Sequence, residues 1–254
     1  MAFLDEDTIE WHFETWAWLF ENFGGFSGLQ DTQMLLPTRD FFPHVPSMDS
    51  AYFESLFEVV KGYMGMSDWP CEFEVFEDSD PTGELFKSSG LDGSWSHDGA
   101  AGTFEVTDER VVIRCALQQA NDQSALIATL AHELCHYLLH SARTDPPSGW
   151  DDHELHTDLT SVFCGFGIFH CNAAFNFRSS SGDLLEGGSY GCDRQGYMPE
   201  PERTYDLALF CKLKDISPEK LINYLKPNPR SSLKKALADL QRRESWISQL
   251  KNIV

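Results

Sequence analysis

The sequence is poor in positive charge. Its 254 residues hold 40 Asp+Glu and only 19 Lys+Arg, a formal net charge of −21. A deficit this large argues against a nucleic-acid surface and against docking on anionic lipid. Long apolar runs are missing as well, which excludes a transmembrane helix. The seven cysteines (Cys71, Cys115, Cys135, Cys164, Cys171, Cys192 and Cys211) are odd in number and include no Cys-x-x-Cys. That pattern fits reduced, mostly buried thiols better than a disulfide framework. The start, MAFLDEDTIEW, lacks the basic and apolar regions of a signal peptide, so the expected location is the cytoplasm.

What is present is a foldable chain. Hydrophobic residues make up 42% and aromatics 13%, enough to exclude disorder despite the charge. The length suits one large domain or two small ones. Acidity is uneven. Residues 1–110 carry 23 acids and 4 bases, residues 111–225 carry 15 and 8, and residues 226–254 reverse the sign with 2 and 7.

Periodicity predicts a first helix within residues 1–24, with Ile9, Phe13, Trp16, Leu19, Phe20 and Phe23 on one stripe and Gly24-Gly25 ending it. A second runs from about Ser50 to Tyr63 with Phe53, Leu56, Phe57 and Val60 inward. Residues 71–77 alternate apolar and acidic as a strand does, and Thr103–Val106 and Val111–Cys115 are further strands. A helix follows over Ser124–His140, then a break at Pro146-Pro147-Ser148-Gly149, then a helix from His153 to about Phe169 weakened by Gly165 and Gly167. Residues 78–102 and 178–199 are loop-like. Helices are expected at about 200–213, 218–225 and 231–250, the middle one opened by Ser217-Pro218. The fold class is α+β: a small sheet, a motif-bearing helix and surrounding helices. Residues 1–100 read as an acidic, mostly helical region, 101–175 as the core and 176–254 as a loop and helical region of one compact unit.

The chemistry is concentrated at His132-Glu133-Leu134-Cys135-His136, the pattern H-E-x-x-H. Residues four apart on a helix share a face and lie about 6 Å apart along its axis. Two imidazoles so placed can reach one Zn2+, and Glu133 sits beside the ion as a base for an activated water. The flanks, Leu126–Ala131 and Tyr137–Leu139, carry no charge. Ionisable groups in such an apolar helix need a partner or a metal.

A catalytic zinc needs a third protein ligand. His140 is about 12 Å along the helix from His132 and cannot share its ion. The continuation H-x-x-G-x-x-H also fails, with Leu139 and Ala142 in the Gly and His places. The acidic stretch Asp151–Asp158 remains. Glu154 and Asp158, four apart, share a helical face, and one can bind zinc while the other accepts the outer N–H of a ligand histidine. His153 and His156 are rivals for the ligand position.

AHELCHYLLH followed by Glu154-x-x-x-Asp158 resembles the Glu-zincin metallopeptidases, the group that includes thermolysin. The resemblance covers about residues 100–170. TDLTSVFCGFGIF and GYMPEPERTYDLALF are also similar to segments of uncharacterised bacterial HExxH-containing proteins. The zincin resemblance implies a zincin-like core in which His132, His136 and Glu154 bind Zn2+, Glu133 is the base and Asp158 supports His132. In Asp-zincins, by contrast, the aspartate itself would bind.

An oxyanion needs a donor, and Tyr190, Tyr197, Arg203 and Tyr205 are available, with Tyr197 preferred. His170, next to Cys171, reads as a core or capping residue. From Ser231 a basic amphipathic helix sets Leu233, Ala236, Leu237, Leu240 and Trp246 against Lys234, Lys235, Arg242 and Arg243. In so acidic a chain it is expected to pack on the protein's own negative body. These features imply a zinc-dependent hydrolase cleaving a peptide or protein substrate, with cationic peptides favoured by the acidity, and with no nucleic-acid or membrane partner. The alternative is a zinc-binding regulatory protein on the same fold without turnover. A polar cleft and an edge strand for an extended peptide would favour the enzyme.

Overall fold

A computed structural model of the chain describes residues 3–42, 50–76, 94–95, 101–106, 110–117, 122–177 and 198–254. The chain divides into two compact units, Pro37–Ser141 and a discontinuous one made of Met1–Leu36 and Ala142–Val254. The mixture of helices and one small sheet is of the α+β class.

The discontinuous unit begins with α1 (Glu6–Asn22) and α2 (Gly25–Asp31). Asp5 caps α1, its carboxylate accepting the Thr8 amide at 2.9 Å, and the predicted stripe is inside from Ile9 to Phe20, with Trp16, Leu19 and Phe20 all at most 1% exposed. Phe23, by contrast, caps the helix end and is half-buried. Gly24 takes φ +92°, a left-handed conformation that glycine adopts at little cost, and so separates the two helices as expected.

The unit Pro37–Ser141 starts with α3 (Ser50–Tyr63), whose predicted inward residues are buried. Strands β1 (Glu72–Phe76), β2 (Ser94–Trp95), β3 (Gly102–Val106) and β4 (Val111–Ala116) form one sheet in the order β1-β4-β3-β2. β1 runs parallel to β4, and the other pairs are antiparallel. The register puts Phe73, Val75, Ile113, Cys115, Phe104 and Gly102 on one face and Glu74, Arg114 and Glu105 on the other, where Arg114 bridges both glutamates. Phe57 of α3 stacks on Phe73 with centroids 4.4 Å apart. Helix α4 (Gln123–His140) packs on β3, β4 and α3, capped by Asp122, which accepts the Ser124 and Ala125 amides.

Beyond the Pro-Pro-Ser-Gly break, the discontinuous unit resumes with α5 (His153–Ser161) and α6 (Gly167–Phe177), joined by a wide turn over Val162–Phe166. The helix expected over 153–169 therefore bends, and the cause is Gly165. Its φ is +94°, and a Cβ there would collide with the Gln33 carbonyl, whose chain approaches closely enough for Leu35 N–H to bond Gly165 O at 3.0 Å. Helix α7 (Glu200–Leu213) matches its expected range and packs on α6 and on α8 (Pro227–Leu240).

Two expectations at the C-terminal end need correction. Residues 218–225 form two short 3-10 turns instead of an α-helix. The helix expected over 231–250 is two helices, α8 and α9 (Glu244–Leu250). α8 begins earlier because Pro227 and Pro229 fall in its first turn, where no amide donor is needed. It ends where Arg242 and Arg243 turn back to the buried Asp239. The basic segment does pack on the acidic body. Leu233, Ala236 and Leu240 are buried, and Arg243 pairs bidentately with Glu6 at 2.6 and 2.8 Å. No helix among the described residues is long and apolar enough to cross a membrane.

Candidate metal centre

Helix α4 brings His132, Glu133 and His136 into the interior at 3%, 6% and 8% exposure. The imidazoles of His132 and His136 lie edge to face, 4.8 Å between centroids, as successive turns of one face require. His136 also stacks on Phe104 of β3, at 5.9 Å and 15°. A flat aromatic wall thus limits how the ligand-type ring can turn.

Glu133 is set by a neighbour that has no side chain. A Cβ built on Gly102 would lie 2.8 Å from Glu133 Cγ, 2.9 Å from its Oε1 and 2.8 Å from Thr129 Cγ2. Gly102 therefore leaves the space that the glutamate occupies. Cys115, the cross-strand partner of Gly102, also senses it: burial, and then the Glu133 charge, push its thiol up. Nothing in the sequence singled out Gly102, a lone glycine opening a strand, or Phe104. A glycine in a strand that backs a charged helix position was the one available signal.

In α5, Glu154 is partly buried, 12% exposed at its side chain, with His153 Nε2 3.2 Å from its Oε1. His156, a rival ligand, is enclosed elsewhere. Its ring stacks on Trp11 at 5.2 Å, its Nε2 meets Ser148 Oγ at 3.0 Å, and burial pulls its imidazole down to about 4. Asp158 is 1% exposed, and its Oδ2 accepts Arg203 Nη2 at 2.7 Å and the Met198 amide at 2.8 Å. His170 Nδ1 lies 3.7 Å from Asp158 Oδ1, and the ring is fully buried, in keeping with a core residue.

Among the oxyanion candidates, Arg203 is anchored to Asp158 and to the His170 carbonyl in the interior of its unit. Tyr205 is buried with its hydroxyl 3.4 Å from Asp239. Tyr190 and Tyr197 lie outside the described residues.

Within the unit Pro37–Ser141, His132 and His136 on one face of α4 are the two imidazole donors of the expected set, and Glu154, the expected third donor, lies on α5 of the discontinuous unit. Two imidazoles and a carboxylate are a donor set that suits Zn2+ and leaves a coordination position open. No family model matches the chain, and no curated protein or solved structure matches it either.

Proposed function

We propose that the protein is a zinc-dependent hydrolase, a metallopeptidase on a zincin-like core. The observation that carries this reading is the presence of His132, Glu133 and His136 together in the buried helix α4. The two histidines and Glu154 would hold the ion, which when bound supplies a Lewis acid that activates water and polarises a carbonyl. Glu133, steadied against Gly102, takes the proton from the attacking water and hands it to the leaving amine. Phe104 restrains the His136 ring. Asp158, paired with Arg203, is the proposed support for His132.

The acidity of residues 1–110 favours peptides with positive charge, and it disfavours nucleic acid. Cys71, Cys115, Cys164, Cys171 and Cys211 are free thiols, which suits a reducing compartment such as the cytoplasm.

The test is Glu133→Gln assayed on a mixed peptide library beside wild type, with zinc content measured on both. We expect zinc to be retained and cleavage to fall by about 10²–10⁴-fold. Full activity in Glu133→Gln would contradict the proposed base. Zinc bound by both proteins with no cleavage by either would instead identify a non-catalytic zinc-binding protein.

A further inference from the structure

A second feature lies in the discontinuous unit, apart from the metal ligands. A groove of about 490 Å³ is lined by Phe13, Ala17, Trp246 and Ile253 together with Glu10 and Glu14 of α1. That volume is in the range of small-molecule sites, about 300–1,000 Å³.

The charge of the groove is one-sided. Helix α1 carries five acids and no Lys or Arg. Glu10 and Glu14 are exposed, and neither has an ion-pair partner among the described residues. At i,i+4 they share a face and repel each other, a strain that a bound cation would relieve. The nearby cation is already committed: Arg243 is held by Glu6 and Asp239. Its guanidinium lies 5.2 Å from the Trp246 ring centroid, so this indole already faces one cation. The Phe13 ring meets Trp246 edge to face at 5.0 Å, so two packed aromatic rings line the same groove as the two glutamates.

We propose that this groove binds a linear aliphatic polyamine. One helical turn separates Glu10 from Glu14 by about 6 Å along the axis. An extended diamine with four methylenes between its nitrogens spans a similar distance. Its two ammonium groups would meet the two carboxylates while its methylenes cover Phe13, Ala17 and Trp246. A monoamine satisfies one carboxylate, and a hydrated divalent metal ion cannot use the apolar lining. The open groove and the matched spacing favour a free, flexible chain over the lysines of a folded partner. This site is independent of the metal reading.

The test is calorimetric titration of the full chain with the triamine spermidine, followed in parallel by tryptophan fluorescence. The titration is repeated with the double variant Glu10→Gln/Glu14→Gln and with Glu21→Gln, an exposed control on the same helix. We expect saturable binding, weakened about tenfold or more in the double variant and unchanged in Glu21→Gln, with butylamine and Mg2+ far weaker than spermidine. Absence of saturable binding, equal affinity in the double variant, or equal displacement by Mg2+ would overturn the proposal. Tighter binding of an oligolysine peptide of matched charge would overturn it in favour of a protein partner. Circular dichroism of both variants checks the fold, which substitutions at these exposed positions should leave intact.

Discussion

Helix α4 and helix α7 both bury ionisable side chains, but they do so on different terms. On α4, His132, Glu133 and His136 fall within five residues, flanked by an uncharged stretch and faced by Gly102 and Phe104 of the sheet. On α7, Arg203 and Asp206 meet partners far along the chain. Arg203 pairs with Asp158, 45 residues away, and Asp206 takes His12 Nδ1 at 2.9 Å and the Trp16 indole N–H at 3.0 Å, 194 and 190 residues away. The α7 groups are each paired with a group from another helix and so hold helices together. The α4 groups have the composition of a ligand set. Local clustering of ligand types in an apolar helix points to chemistry, whereas long-range pairing of opposite charges points to architecture.

The contrast is sharpened first by Arg203→Met. Removing one partner of a fully buried pair leaves Asp158 charged without its guanidinium, and we expect a loss of about 3–5 kcal/mol in urea denaturation. A loss below about 1 kcal/mol would show that the pair holds nothing together.

His12 gives the next effect, and its sign is specific. Burial opposes its charge, but Asp206 and Glu202 outweigh that and raise the imidazole to about 9 from 6.5. Burial also raises the Asp206 carboxyl, against the pull of His12 and Trp16, so the pair holds its proton jointly. A group with a raised folded pKa stabilises the protein fully below its unfolded value and loses that contribution as pH rises through the folded one. Stability should therefore decline between about pH 6.5 and 9 by about 3 kcal/mol, and His12→Gln should flatten the decline. Denaturation midpoints across that range give the answer; an unchanged slope in His12→Gln would assign the effect elsewhere.

Gly102→Ala is the smallest change expected and acts on the α4 side. The new methyl meets Glu133 and Thr129, so we expect about 1–3 kcal/mol of destabilisation. Thr129→Ser removes the methyl that the new Cβ meets and should restore part of it. Loss of stability with no recovery in the pair would mean that the crowding lies elsewhere.

These two regions also differ in how far the sequence revealed them. The H-E-x-x-H helix, the alternation in β1 and the stripe of α1 are local periodicities, and each element formed close to where its pattern lay. The bend at Gly165 was signalled only as a weak helix, because the Gln33 carbonyl that requires glycine there comes from a remote segment. The α8–α9 break depends on Arg242 and Arg243 folding back to a buried Asp239, and a continuous amphipathic pattern conceals that. The His12–Asp206 pair had no signal at all. Gly102 fell at the end of the stretch read as loop-like, one residue before the expected strand, and its contact with Glu133 exists only once the strand is laid against the helix.

The reading of α4 as a ligand-bearing helix is tested most directly by elemental analysis of the full chain purified without added metal, with His132→Ala treated identically. The account predicts about one zinc per chain in wild type and none in His132→Ala with its helical content preserved. Wild-type protein free of zinc, and unable to take it up on titration, would contradict it and return His132 and His136 to the role of buried core histidines.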